Sequence, residues 1–266
     1  MIERIQHIGY LVADLDDTVA WFEKTFGGKR AGGGSLSVGR NAIFRFGQVE
    51  VDLIEPADSS NLPKDALTMH HVGYMVPDIL KEIKELTEKG FKFVSETPST
   101  NVMGQEVLMI DSSTNNGILV HLTENTPQSN TSDFGHGLPI DKIVHAGYLV
   151  EDLDATIAWY LEKLDGVHVG GGASANGGRN AFVNFGQVQV ELIERADKSG
   201  LAGKMQTMDH VGYEVADINS AILQCKDRGI QFVADAPRTN SIGQQVLYFD
   251  TATSRGTRMH LTQLPD

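Results

Sequence analysis

The stretch IQHIGYLVADLDDTVAWF, residues 5–22, returns as IVHAGYLVEDLDATIAWY, residues 143–160. The rest of the chain follows the same rule. GRNAIFRFGQVEVDLIEPAD (39–58) returns as GRNAFVNFGQVQVELIERAD (178–197), and TMHHVGYMVPDI (68–79) as TMDHVGYEVADI (207–218). The offset is 138 residues from His7 to His145, and 139 after one extra residue in the Gly-rich stretch, so His71 falls on His210 and His121 on His260. Asp52 falls on Glu191 by the same offset. The chain is a tandem duplication that carries three histidines and a carboxylate in each copy.

Each copy divides again. IQHIGYLVADL and MHHVGYMVPDI share a histidine, then β-branched and small residues, then an Asp ahead of a helix, which gives four modules at about 1–60, 66–125, 139–200 and 205–266. Asp14, Asp78, Asp152 and Asp217 are the expected N-caps. Leu15, Val19, Phe22 and Phe26 form one apolar helical face, as do Leu153, Ile157, Tyr160 and Leu164. Ile79, Ile83 and Leu86, and Ile218, Ile222 and Cys225, do the same in the even modules, and Gly90 and Gly229 fall at helix C-termini. Short alternating runs after each helix, such as QVEVDLIEP and GILVHLT, predict strands, so each module is βαβββ. Residues 1–125 and 139–266 are the two expected domains, joined by a polar linker at 126–138.

The length of 266 residues suits two cores of about 130 residues each. Lys and Arg number 22 against 35 Asp and Glu, a net charge of −13, which argues against nucleic-acid backbone as a partner. The single cysteine, Cys225, excludes an intrachain disulfide and a thiolate zinc site. The N-terminal residues lack a signal-peptide pattern and no apolar run is long enough for a membrane helix, so a cytoplasmic protein is expected. The expected partner is a small molecule, oxygen-rich or anionic, with neither nucleic acid nor membrane involved and a homodimer left open.

Two βαβββ modules side by side make a curved eight-stranded sheet with a concave, cup-shaped face. Side chains alternate along a strand, so Glu50, Asp52 and Ile54 share the cup face while Val49, Val51 and Leu53 face the helix. Gln189, Glu191 and Ile193 repeat this against Val188, Val190 and Leu192. The candidate metal ligands are therefore His7, Asp52, His71 and His121 in the first half, and His145, Glu191, His210 and His260 in the second. A donor set of histidine and carboxylate suits a divalent transition metal (Zn, Fe, Mn, Co or Ni) and does not choose among them. Whether modules pair within a half or across halves is open from sequence.

Other repeated residues are candidate substrate contacts. Arg40 and Asn41, with Arg179 and Asn180, start strands after Gly-rich stretches, where an arginine can clamp a carboxylate or phosphate. Gln105 and Gln244 follow a glycine and are placed at the cup. The triple glycines 32–34 and 170–172 are expected as mobile loops at the rim. His70, His136 and His168 have no histidine partner in the other half and are expected on the surface; Trp21 and Trp159 are expected in packing.

Paired βαβββ modules with HxGxxVxDL and HHVxxxV signatures resemble the vicinal oxygen chelate superfamily, across nearly the whole chain. That group includes glyoxalase I, methylmalonyl-CoA epimerase, extradiol dioxygenases and resistance proteins. The resemblance implies an α+β fold of two glyoxalase-like domains, each a curved mixed sheet, and assigns the eight residues above as ligands. It implies a metal-dependent isomerase, epimerase or lyase that chelates a substrate through neighbouring oxygens and stabilises an enolate. Asp52, Glu191, His121 and His260 are then candidate proton-transfer groups. A ring-cleaving, iron-dependent dioxygenase and a non-catalytic binding protein are the alternatives. The chain departs from the family at the last strand, where its members usually carry glutamate and this chain has His121 and His260.

Overall fold

A computed structural model describes residues 1–129, 137–173 and 177–265. Module one runs β1 (Arg4–Leu11), α1 (Leu15–Thr25), β2 (Lys29–Leu36), β3 (Gly39–Phe46) and β4 (Val49–Pro56). Module two runs β5 (Thr68–Met75), α2 (Ile79–Glu88), β6 (Ser99–Thr100), β7 (Glu106–Ile110) and β8 (Leu119–Glu124). Module three repeats the first as β9 (Lys142–Val150), α3 (Leu153–Leu164), β10 (Val167–Ala173), β11 (Arg179–Phe185) and β12 (Val188–Glu194). Module four repeats the second as β13 (Gln206–Glu214), α4 (Ile218–Asp227), β14 (Arg238–Thr239), β15 (Gln245–Tyr248) and β16 (Arg258–Gln263). The expected βαβββ units are present. In the even modules the strand after the helix shrinks to two residues, because Pro98 and Pro237 precede it and supply no ladder N–H.

All four helices start where the sequence places them. The Asp14, Asp78, Asp152 and Asp217 side chains each accept a backbone N–H from the first turn, each cap contributing about 1 kcal/mol. Gly90 and Gly229 follow the helix ends of α2 and α4 at φ of +91° and +86°, a conformation that disfavours other residues.

Within the first half the strands lie in the order β2-β3-β4-β1-β5-β8-β7-β6, and within the second β10-β11-β12-β9-β13-β16-β15-β14. β1 pairs parallel with β4 and antiparallel with β5, so each half is one mixed eight-stranded sheet. Modules thus pair within a half. The two sheets meet along β1 and β9 at Ile5 and Ile143. Each sheet curls until its outer edges touch. The triple glycines, expected as loops, are strands β2 and β10. A Cβ on Gly32 would lie 2.7 Å from Met103 Sδ, and one on Gly170 only 2.4 Å from Ile242 Cγ2. Glycine there lets the β6–β7 and β14–β15 turns close against the opposite edge of each sheet.

The convex faces carry the helices, and here the pairing crosses between halves. Phe26 of module one packs on Tyr213 and Phe249 of module four, with ring centroids 6.0 and 6.4 Å apart. Tyr74 of module two packs on Phe185 of module three at 5.6 Å, and Phe91 on Trp159 at 5.8 Å. Arg255 of module four lies over Trp21 and bonds Asp17 at 2.7 Å. Both tryptophans pack as expected, partly buried against the core. The buried apolar residues form one continuous cluster through both halves rather than two separate cores. The ends of the expected linker are tied down: Thr126 and Ser129 bond the Gly104 carbonyl, and Leu138 N donates to Phe26 O. The rest of it, residues 130–136 with His136, lies outside the described residues. Among the described residues no helix is long and apolar enough to cross a membrane.

Candidate metal centres

β1 and β5 run antiparallel at the centre of the first cup, and their histidines alternate with glycines in reciprocal register. His7 lies opposite Gly73, and His71 opposite Gly9. A Cβ on Gly9 would lie 1.9 Å from the His71 ring, and one on Gly73 2.0 Å from the His7 ring. Each imidazole therefore occupies the space a facing Cβ would fill, a position that only glycine leaves open. The second cup keeps the register, with His210 opposite Gly147 and His145 opposite Gly212, but not both contacts: a Cβ on Gly147 would lie 2.0 Å from the His210 ring, whereas one on Gly212 would meet His260 of the neighbouring strand first, at 2.6 Å. The His-x-Gly motif present in all four modules is thus one structural unit. β8 and β16 add His121 and His260 from the next strand.

The result is two clusters, His7 with His71 and His121, and His145 with His210 and His260. His71 Nε2 lies 3.1 Å from His7 Nε2; in the second cluster His145 Nε2 lies 3.1 Å from His210 Nε2 and 3.0 Å from His260 Nε2. Two metal–nitrogen bonds of about 2.1 Å meeting near a right angle span about 3.0 Å. The spacing fits one ion shared by the rings. The carboxylates stand alongside. Asp52 Oδ2 is 3.7 Å from His71 Nε2, and Glu191 Oε2 is 3.1 Å from His210 Nε2 and 3.7 Å from His145 Nε2.

Burial sets the charge state. It pulls His7 down to about 4 and His121 to about 3, and His71 well below its usual value, with neighbouring rings adding to the effect on the last two. His145 falls to about 3 and His260 well below normal for the same reason. Neutral imidazoles are the form that ligates. His210 is the exception. Burial lowers it, but the Asp209 and Glu191 carboxylates outweigh that and raise it.

The outer nitrogens are held too. His7 Nδ1 is 3.0 Å from Gln6 Oε1, whose amide in turn donates to Glu50, which Arg45 also bonds. His71 Nδ1 is 3.0 Å from His70 Nδ1, and His210 Nδ1 is 2.9 Å from Asp209 Oδ2. Thr262 Oγ1 lies 2.9 Å from His260 Nδ1. Such partners turn Nε2 and its lone pair toward the cluster. His70, expected as a surface residue, is instead half-buried against a candidate ligand. Sequence reasoning passed over Gln6, His70 and Asp209. The signal was the mismatch TMHH against TMDH immediately beside a matched histidine.

The candidate substrate contacts divide. Asn41 and Asn180 face the cup, where they donate to Asp52 at 3.1 Å and Glu191 at 2.7 Å and orient the carboxylates. Arg40 and Arg179 do not face it. They alternate with Ala42 and Phe44, and Ala181 and Val183, on the helix side, and pair with Asp16 and Glu55, and with Asp154 and Glu194. Strand alternation turns them away from the histidines, so the expected clamp is corrected to a helix–sheet ion pair. Gln244 is buried and donates to cup-facing Gln189 at 3.1 Å; Gln105 is buried and donates to Asn125 at 3.0 Å. His168 bonds the nearby Gly170 carbonyl on an exposed strand, as expected of a surface residue.

Residues 6–108 and 144–248 match the Glyoxalase/Bleomycin resistance protein/Dioxygenase superfamily, and the chain belongs to it. Among characterised relatives, the mitochondrial methylmalonyl-CoA epimerase of Bos taurus is 27% identical over 132 residues, 47% of this chain and 75% of that one. The Homo sapiens epimerase is 26% identical over 132 residues, 47% of this chain and 74% of its own. Two solved structures share the fold over the full duplication. The Mn(II)-bound glyoxalase from Novosphingobium aromaticivorans has a TM-score of 0.71 at 15% identity, covering 98% of this chain and 82% of that one. A triple mutant of 4-hydroxymandelate synthase from Streptomyces coelicolor has a TM-score of 0.74 at 14% identity, covering 98% and 92%.

Proposed function

We propose that the chain is a metal-dependent enzyme with one centre per half, which grips a small substrate through two neighbouring oxygens and catalyses isomerisation, epimerisation or elimination next to a carbonyl. The observation that carries this reading is the convergence of three imidazoles beside a carboxylate, in both cups. His7, His71, His121 and Asp52 would hold one ion, and His145, His210, His260 and Glu191 the other. A divalent ion bound there supplies Lewis-acid polarisation of the substrate oxygens and so lowers the cost of the enolate charge.

The remaining work falls to the chain. Burial of His7, His71, His145, His210 and His260 strengthens the charge interactions among the clustered groups. Asn41 and Asn180 hold the carboxylates in place. Without an ion, burial pushes Asp52 up to about 6, whereas Glu191 is held at about 2 because His210, His145 and Asn180 outweigh its burial. Released from the ion, Asp52 is the more basic of the two and the better candidate for proton transfer, and Glu191 is the firmer anchor.

The test is elemental analysis and activity toward 2-oxo acids and acyl thioesters on the His7→Ala/His145→Ala double variant. We expect loss of both metal and turnover. Full metal content and activity in that variant would overturn the reading. An oxygen-uptake assay separates it from the dioxygenase alternative, which requires consumption of oxygen.

A further inference from the structure

Superposing the halves at the 139-residue offset exposes a difference at the mouth of the cups. Arg195 stands where the first half has Pro56, Arg238 where it has Ser99, and Arg258 where it has Leu119. Tyr248 replaces Met109, and Asp209 replaces His70. All five changes gather at one place. Arg195 continues the cup-facing alternation Glu191, Ile193, and Arg258 precedes His260 by two residues, so both share the face of the ligands.

Arg195 and Arg258 each donate to Asp209, at 2.8 and 2.5 Å. Arg258 lies over the Tyr248 ring at 5.2 Å, and that ring packs on His260 at 4.6 Å. The charges of Arg258 and Arg238 both act on the Tyr248 phenol. Asp209 is 5% exposed and already shared with His210, while the Arg195 and Arg258 side chains remain 44% and 38% exposed. Arg238 makes no ion pair among the described residues. Two guanidinium groups thus share one carboxylate with His210, and Arg238 adds a third positive charge nearby on β14, a local surplus in a chain whose net charge is −13. Each guanidinium carries five N–H donors, more than Asp209 can use.

We propose that the second cup selects substrates bearing an anionic group, carboxylate or phosphate-type, beyond the chelating oxygens, and that Arg195 and Arg258 hold this group with Arg238 at the rim. The first cup, with Pro56, Ser99 and Leu119 at these positions, makes no such demand. The two centres therefore serve chemically different substrates. This rests on the reading of the clusters as metal centres that chelate neighbouring oxygens.

The experiment is calorimetric titration of the full, metal-loaded chain with three 2-oxo acids: 2-oxopentanoate with a neutral tail, 2-oxoglutarate with a carboxylate tail, and phosphonopyruvate with a phosphonate. Metal is counted by elemental analysis in every sample. One site per chain is expected to prefer one of the anionic acids over 2-oxopentanoate by about tenfold, the scale of a charge-assisted pair, and the preferred acid identifies the class of anion. Arg195→Gln with Arg258→Gln should abolish the preference, Arg238→Gln should reduce it, and Leu119→Gln in the first cup should leave it in place. Arg238 touches neither Asp209 nor a candidate ligand, so that variant reads the arginine effect without disturbing the cluster. Equal affinity for all three acids at full metal loading, or a preference that survives in the double variant, overturns the proposal. Absence of bound metal from the native protein overturns the metal-centre reading itself.

Discussion

Behind His7 stands Gln6, backed by Glu50 and Arg45; behind His145, in the same register, stands Val144, and His145 Nδ1 has no partner among the described residues. Behind His71 stands His70; behind His210 stands Asp209. The three inner histidines are the same in both cups, while the residues behind them have diverged. In the first cup the best-held ring is His7 of the odd module, through neutral amides. In the second it is His210 of the even module, through a carboxylate. A carboxylate raises the basicity of a ligating imidazole more than an amide does, so under the proposed function the second cup should bind its ion more tightly, and the first retains the more basic carboxylate, Asp52.

The comparison breaks most readily at the glycines. Gly147→Ala would drive a methyl group to 2.0 Å from the His210 ring, and Gly9→Ala to 1.9 Å from His71. Each should eliminate metal binding at its own cup, leave the other ion bound, and cost about 1–3 kcal/mol from overpacking. Gly212→Ala, with its nearest ring atom at 2.6 Å, should be milder. Metal stoichiometry and thermal unfolding read both effects, and uniform loss across the three variants would contradict the assignment.

Next in size is the loss of a support. Asp209→Asn should weaken metal binding at the second cup by roughly 10–100-fold, while His70→Asn should have a smaller effect at the first. Competition with a chelator measures each, and an equal effect in the two cups would erase the distinction.

Acid sensitivity should separate the carboxylates of metal-stripped protein. Asp52 in the folded chain sits at about 6 against an ordinary 3.8, so between those values the folded state holds a proton that the unfolded state releases. Its contribution to stability therefore falls as pH rises from 3.8 to 6. Glu191, at about 2 against 4.5, does the reverse: its contribution is complete above 4.5 and is lost as pH falls through 2. Carboxyl NMR titration should show Asp52 alone of the pair titrating near pH 6. A shared midpoint would mean that the difference between His71 and His210 does not reach the carboxylates.

The smallest effect on the metal sites comes from the core. Because Phe26 reaches Tyr213 and Phe249 across the halves, heating should give one cooperative transition rather than two. Phe26→Ala should lower that single transition by about 3–5 kcal/mol with both metal sites retained at 25 °C. Two resolved transitions would show that the halves unfold separately.

Much was legible in the chain before any coordinates. The duplication, the four Asp caps, the cup-facing alternation of Asp52 and Glu191 and the three histidine pairs all follow from local periodicity and repetition, which act over a few residues. Arg40 and Arg179 were misplaced because a repeated residue at a strand start does not reveal which face it takes. The triple glycines read as loops in sequence because a glycine run lacks the β-branched signal of a strand, although here a missing side chain is what lets the sheet edges meet.

Sequence by itself determined the fold class and the histidines that cluster in each cup, since both are encoded in patterns that each module carries on its own. Only the tertiary structure decided that cups form within halves while cores form between them. It alone placed His-x-Gly units in reciprocal register, and set Gln6, His70 and Asp209 behind the rings they support. The pairing and register depend on contacts between distant segments, His7 and His71 being 64 residues apart, and the supports, though sequence neighbours of the rings, take their places from the strand geometry that this pairing sets.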